Sequence, residues 1–254
     1  MKVFLHQDAP KLGDVAGAEI AELLKSTISS SGSARLVLAT GASQFETLKH
    51  LARRDDVDWS KVECFHLDEY VGMDENHPAS FRRYLRQRFL NAVPAVAAFH
   101  GVGGDAKDIA QECSRLGGLI KRRPVDVLCL GIGENGHLAF NDPPADMDTD
   151  SPYIVVRLDD ACRRQQLGEG WFATLEDVPK QAITMSMRQL LSARHIVASV
   201  PDLRKARAVH ESLTKPIGPT FPGTAIREHQ RCSLHLDKQS ASLLSADDIR
   251  RFSE

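Results

Sequence analysis

The residue types that move protons and hold anions gather in four short stretches, each just after an apolar run. The richest follows Val125-Asp126-Val127-Leu128-Cys129-Leu130 and reads Gly131-Ile132-Gly133-Glu134-Asn135-Gly136-His137-Leu138-Ala139-Phe140-Asn141-Asp142-Pro143-Pro144. Gly131, Gly133 and Gly136 match G-x-G-x-x-G literally, but a dinucleotide motif must open a long helix. Pro143 and Pro144 follow Gly136 too closely to allow one. The glycines read instead as a backbone bent tightly around a small ligand. His137, with Asn135 just before it and Asp142 shortly after it, is a candidate proton-transfer group, because an imidazole needs its second nitrogen held to fix its tautomer.

A second stretch is His66-Leu67-Asp68-Glu69-Tyr70. Adjacent acids on a continuing strand face opposite sides, so one carboxylate can serve a pocket as general base while the other supports it. The alternative is an acidic pair that solvates a strand end. His66 stands two residues before Asp68, but with no third ligand nearby it reads as structural rather than metal-binding. In the third stretch, Thr40-Gly41-Ala42-Ser43 runs straight into a helical pattern, which either offers backbone N–H groups to an anion or makes a tight turn with Ser43 as helix cap. Lys205, in the first turn of the helix expected after His195 to Val200, can meet an anion at the same edge. Its neighbours Arg204 and Arg207 equally suit a solvated helix face.

The elements that must position these residues are legible as alternating βα units. Strands are expected at Val3 to His6, Arg35 to Thr40, Val62 to Leu67, Val125 to Leu130, Tyr153 to Leu158, Ala182 to Met187, His195 to Val200 and Ser233 to Leu236. Helical spacing covers Leu12 to Ser29, Ser43 to Arg54, Ala79 to Asn91, Ala106 to Lys121, Asp202 to Leu213 and Ala241 to Phe252. The pattern predicts a doubly wound α/β fold, a mostly parallel sheet with helices on both faces in a Rossmann-like three-layer sandwich. Ligands in such sheets sit beyond the carboxyl ends of the strands, which is where all four stretches fall.

The 254 residues are 42% hydrophobic and 26% charged, the balance of a globular protein, and one domain over 1–254 is expected. Lys and Arg number 32 against 34 Asp and Glu, a net charge of −2, and no long run of either sign points to nucleic acid. The N-terminal apolar run is too short for a signal peptide, and no stretch reaches the ~18 apolar residues of a membrane span. The expectation is therefore a cytoplasmic protein with no membrane partner. Cys64, Cys113, Cys129, Cys162 and Cys232 are odd in number and without a C-x-x-C pair, so they read as reduced structural thiols.

Leu67 to Leu90 (LDEYVGMDENHPASFRRYLRQRFL) together with Leu130 to Pro144 (LGIGENGHLAFNDPP) resembles the glucosamine-6-phosphate deaminase family, also called glucosamine-6-phosphate isomerase. The resemblance extends over nearly the whole chain. It implies conversion of D-glucosamine 6-phosphate and water to D-fructose 6-phosphate and ammonia, in amino-sugar catabolism, without metal or organic cofactor. By similarity, Asp68 moves a proton between C2 and C1, and His137 opens the pyranose ring. Asn135 and Asp142 orient His137. Thr40, Gly41, Ala42, Ser43 and Lys205 grip the phosphate, with Glu69 and Gly133 also at the substrate.

Three departures from the family pattern stand out. Asn135 replaces an Asp common in the G-x-D-G-H loop, and Asp142 replaces the usual Glu, so the shorter acid is expected to need a shift to reach His137. In Cys162 to Phe172, the place where the family carries a phosphate-binding Arg holds Gly170, leaving Arg163 or Arg164 as substitutes. The basic residues of the family's activator site have no counterpart near Tyr153 to Val156, so strong activation by N-acetylglucosamine 6-phosphate is not expected. Alternatives are a galactosamine-6-phosphate isomerase, a 6-phosphogluconolactonase, or a non-catalytic phosphosugar-binding protein akin to SorC-like sensor domains. The assembly is expected to be a monomer or a homo-oligomer.

Overall fold

The computed structural model describes residues 1–252, so the last two residues of the expected domain lie outside the described part. Strand β1 (Lys2–His6) leads into helix α1 (Ala9–Ser31). Asp8 caps that helix by accepting from Lys11 N, and Gly32 ends it at a left-handed φ of 77°, where a side chain would be strained. Strand β2 (Ala34–Leu38), a short 3-10 turn at Ala42–Gln44, helix α2 (Phe45–Ala52) and strand β3 (Val62–His66) follow. Next come β4 (Asp68–Tyr70), α3 (Phe81–Leu85) with a π turn over Arg86–Leu90, β5 (Ala98–His100), α4 (Ile109–Ile120) and β6 (Val127–Leu130). The remainder runs β7 (Tyr153–Arg157), α5 (Asp160–Gly168), β8 (Gln181–Met185), α6 (Met187–Leu191), β9 (His195–Val200), α7 (Ala206–Thr214), β10 (Cys232–Asp237) and α8 (Ala246–Arg250).

Seven strands form one parallel sheet in the order β1-β10-β9-β6-β2-β3-β5. After β2 the chain builds outward through β3 and β5, then returns to the other side of β2 with β6, β9 and β10. The reversal makes the crevice between the C-terminal ends of β2 and β6 the switch point, where ligands bind in open α/β sheets. β2 and β6 are buried along their whole lengths, as strands covered on both faces must be. Helix α1 packs over the sheet and against α2. A Cβ on Gly13 would come within 2.5 Å of Glu46 backbone, so glycine lets the two helices close.

The doubly wound expectation holds for this sheet, with one difference. The strands expected near Tyr153 and Ala182 leave it and pair antiparallel with each other and with β4, in the order β4-β8-β7. β7 buries only Tyr153 and leaves Val155 42% exposed, which fits a strand open to solvent rather than one covered on both faces in a parallel sheet. The helix expected from Asp202 starts only at Ala206, because Asp202 sits at φ 90° and its carboxylate accepts from Arg204 N. That expected over Ala241 to Phe252 shrinks to Ala246–Arg250, where Ser245 and Asp248 build a capping box. β4, β5, α5 and α6 were not anticipated, since such short elements show little periodicity.

Candidate active site

A cavity of about 270 Å³ opens over the C-terminal ends of β2, β6 and β9. Of the residues singled out in the sequence, Thr40, Gly41, Ala42, Ser43, Asp68, Gly133, His137 and Lys205 line it. Asn135 and Asp142 stand behind His137 rather than in the wall, and Glu69 points elsewhere.

The loop after β6 is folded to present His137. Gly133 N donates to His137 O at 2.9 Å, Gly136 N donates to Gly133 O at 3.0 Å, and Gly136 takes a φ of 86°. A Cβ on Gly133 would collide with the His137 ring, so the bare Cα is the surface on which the imidazole lies. His137 N donates to Asn135 Oδ1 at 3.1 Å, and Asn135 Nδ2 donates to Asp142 Oδ1 at 3.0 Å. His137 Nδ1 lies 3.0 Å from the same Asp142 Oδ1, without the alignment of a hydrogen bond. The shorter acid therefore reaches His137, and Asp159 N at the start of α5, donating to Asp142 Oδ2 at 3.0 Å, holds it forward. Burial pushes the Asp142 carboxyl up, but His137, Asn135 and the Asp159 N–H outweigh it and hold it below its ordinary value. On the far side, Phe140 N donates to Thr184 Oγ1 at 3.0 Å and Asn141 Nδ2 to Met185 O at 2.9 Å, so the small sheet pins the loop.

Asp68 and Glu69 diverge as their alternation on β4 requires. Asp68 faces the cavity, and among the described residues nothing donates to its carboxylate. Burial, and secondarily the charge of Glu69, raise it well above the ordinary carboxylate value. Glu69, fully buried, instead accepts from Ser80 Oγ at 2.8 Å and Arg82 N at 3.0 Å. It fixes the start of α3 and does not reach the cavity, which corrects its expected place at a ligand. His66 is buried below, where desolvation and Arg82 push it down to about 3, and Val102 N donates to its Nδ1 at 3.4 Å. That is the structural role expected of it.

At the opposite end, Gly41 turns the chain at φ 89° and accepts from Tyr84 Oη at 2.9 Å. Lys205 is only 7% exposed, and among the described residues its Nζ makes no hydrogen bond or ion pair. Burial lowers its pKa, against the raising influence of Glu169 and Glu134. Arg204, also in the wall, is tied to Asp202 at 2.9 Å. Neither arginine of α5 substitutes for the missing one near Gly170. Arg163 is buried, with Nε donating to Val178 O at 3.3 Å, and Arg164 is exposed. What α5 and the residue that follows it bring to the cavity is Gln165, Gln166 and Glu169.

Sequence reasoning missed the residues that set this geometry from a distance. Asp159 caps α5 by accepting from Cys162 N at 2.6 Å and also accepts from Asn135 Nδ2 at 3.1 Å. Gln165 Oε1 accepts from Glu134 N at 2.7 Å. An Asp before a short polar helix was the available signal for Asp159; Thr184 and Gln165 gave none. Among the described residues, His137, Asp142 and Cys162 place ligand-type atoms within 4.8 Å of one another. Burial and the nearby carboxylates push the Cys162 thiol far up, and a protonated thiol is a poor metal ligand.

Residues 7–234 match the family model of glucosamine-6-phosphate isomerases and 6-phosphogluconolactonases. Glucosamine-6-phosphate deaminase of Streptococcus sanguinis is 35% identical over 231 residues, 91% of this chain and 95% of that protein. The corresponding protein of Exiguobacterium sibiricum is 34% identical over 84% of this chain and 82% of its own length. Among solved structures, a monomeric glucosamine-6-phosphate deaminase superposes with a TM-score of 0.88 at 30% identity, covering 96% of this chain and 100% of that one. A 6-phosphogluconolactonase from Shewanella baltica shares the fold, with a TM-score of 0.77 at 18% identity over 93% of this chain and 97% of its own.

Proposed function

The chain belongs to the family of glucosamine-6-phosphate isomerases and 6-phosphogluconolactonases, and from that premise we propose that it converts D-glucosamine 6-phosphate and water to D-fructose 6-phosphate and ammonia. The observation that carries this reading is the pairing, in one cavity, of an undonated Asp68 carboxylate and an oriented His137, with an unpaired Lys205 alongside. An aldose–ketose conversion needs such a set: a base for C2, a proton carrier for the ring oxygen and an anchor for the phosphate.

In this mechanism His137, steadied by Asp142 and Asn135, relays the proton of the C1 hydroxyl to the ring oxygen, so that the C1–O5 bond breaks and the pyranose opens to the C1 aldehyde. The open-chain form acidifies C2. Asp68 takes the C2 proton and returns it at C1 through an enolamine, leaving a C2 imine that water hydrolyses to the ketose and ammonia. The raised pKa of Asp68 suits it to both taking and returning a proton. The Thr40–Ser43 turn and Lys205 hold the phosphate. The same reading makes the protein a cytoplasmic enzyme of amino-sugar catabolism with a small phosphosugar as partner. The curated deaminases and the monomeric neighbour support it.

The test is formation of ammonia and fructose 6-phosphate by the purified protein, with glucosamine 6-phosphate and galactosamine 6-phosphate side by side and Asp68→Asn as control. Turnover of the gluco substrate that disappears with Asp68 is expected. Ketose from the galacto substrate alone would reassign the sugar, and silence on both would overturn the reaction.

A further inference from the structure

The anchoring end of the cavity holds a carboxylate that the proposed reaction does not use. Glu169 follows α5 and lines the wall with Gly41, Arg204 and Lys205. A Cβ on Gly41 would stand 3.7 Å from Glu169 Oε2 and 3.9 Å from Oε1, so the carboxylate lies over the turn. Among the described residues, Oε2 is buried with no hydrogen-bond partner, and Oε1 has one long bond, from Gln165 Nε2 at 3.4 Å. Lys205 and Arg204 both feel its charge, yet Arg204 spends its ion pairs on Asp202 and Glu134.

A buried acceptor without a donor is costly. Because this one faces a cavity, a ligand is the group that can satisfy it. An ionised carboxylate only accepts hydrogen bonds, so a phosphate dianion on the turn is opposed by its charge unless the same ligand also brings it a donor. Both requirements are met by a ligand with an anionic group on Lys205 and, on the adjoining carbon, a hydroxyl that donates to Glu169.

We propose that Glu169 is a specificity-determining residue that accepts a hydrogen bond from the hydroxyl next to the phosphate-bearing carbon. The inference rests on the proposed reaction in taking the anion as a sugar phosphate. In a hexose 6-phosphate that hydroxyl is the one at C5, which exists only after the pyranose ring has opened, since in the ring the same oxygen carries no proton. Glu169 therefore selects the open-chain form.

Calorimetric titration of the wild-type chain and Glu169→Ala with two probes tests this. The probes are glucitol 6-phosphate and 1,5-anhydroglucitol 6-phosphate, which differ in whether the C5 oxygen bears a proton. The wild type should prefer glucitol 6-phosphate by about tenfold or more. Glu169→Ala should erase most of that preference. An unchanged preference in Glu169→Ala overturns the inference, even in a protein that turns over glucosamine 6-phosphate. Loss of the preference in a protein that turns over neither amino sugar overturns the proposed reaction and leaves the inference standing.

Discussion

Asp68 and His137 differ in what surrounds them, and their expected behaviour follows from that. Asp68 has burial and a neighbouring acid against it, so its proton leaves only above the ordinary carboxylate range. Below its folded-state pKa it already carries a proton and cannot take another, so kcat/KM should rise with pH along an acid limb set above that range. A limb at the ordinary carboxylate value would contradict the role. Asp68→Asn should lower kcat by about 10³-fold or more while the affinity for glucitol 6-phosphate, read by calorimetry, changes by no more than a few-fold. Loss of both would make Asp68 structural. The same substitution should raise Tm at neutral pH, since a folded pKa above the unfolded one costs stability once pH exceeds the unfolded value. At pH below both values the two proteins should melt alike. Asp142 runs the other way: its lowered pKa contributes stability that is present above its unfolded value and lost as pH falls through the folded one. Gly133 belongs to the same scale. Its φ lies outside the left-handed region, so Gly133→Ala should leave the fold intact and displace only the His137 ring, with kcat falling about 10²-fold and circular dichroism unchanged.

Each element carries a contact that its own sequence does not announce. Arg35 on β2 is 1% exposed and reaches the end of α4, with Nη1 donating to Ile120 O at 2.8 Å and Nη2 to Leu119 O at 2.7 Å. Its Nε donates to Glu63 Oε2 on β3 at 2.7 Å. A cation on the last carbonyls of a helix answers both their unmet hydrogen bonds and the helix dipole. Arg35→Met should therefore destabilise the protein by about 3 kcal/mol, measured as a lower urea midpoint at unchanged slope. A shift within error would mean that water replaces the guanidinium. The long elements were legible in sequence: β9 has the predicted ends, and α1 extends the predicted helix by a few residues at each end. α5 was not, because Asp-Ala-Cys-Arg-Arg-Gln-Gln-Leu-Gly has no apolar stripe and its place is set by Asp159 and by the loop it supports.

At the scale of the molecule, one core joins the two sheets: Tyr153, Ile183 and Met185 of the small sheet pack in the same buried cluster as Leu36, Leu128 and Val197 of the large one. We expect a single cooperative unfolding transition, with far- and near-ultraviolet circular dichroism coinciding, and two separate transitions would break the single-domain reading. The apolar runs and the glycine-rich stretch were enough to place a doubly wound sheet, to put Thr40 to Ser43, Asp68 and His137 after strands, and to suggest proton transfer on a small anionic ligand, while the phosphosugar came from the family resemblance of Leu67 to Leu90 and Leu130 to Pro144. That information is local, since it depends on periodicity and on which residue follows a strand. Whether Asp142 reaches His137, which of Asp68 and Glu69 faces the cavity, and that Glu169 rather than an arginine stands over the Gly41 turn are settled by tertiary structure alone. Each depends on a contact between segments far apart in the chain, through Asp159, Ser80 and the end of α5, and no local pattern encodes the angle at which distant elements meet.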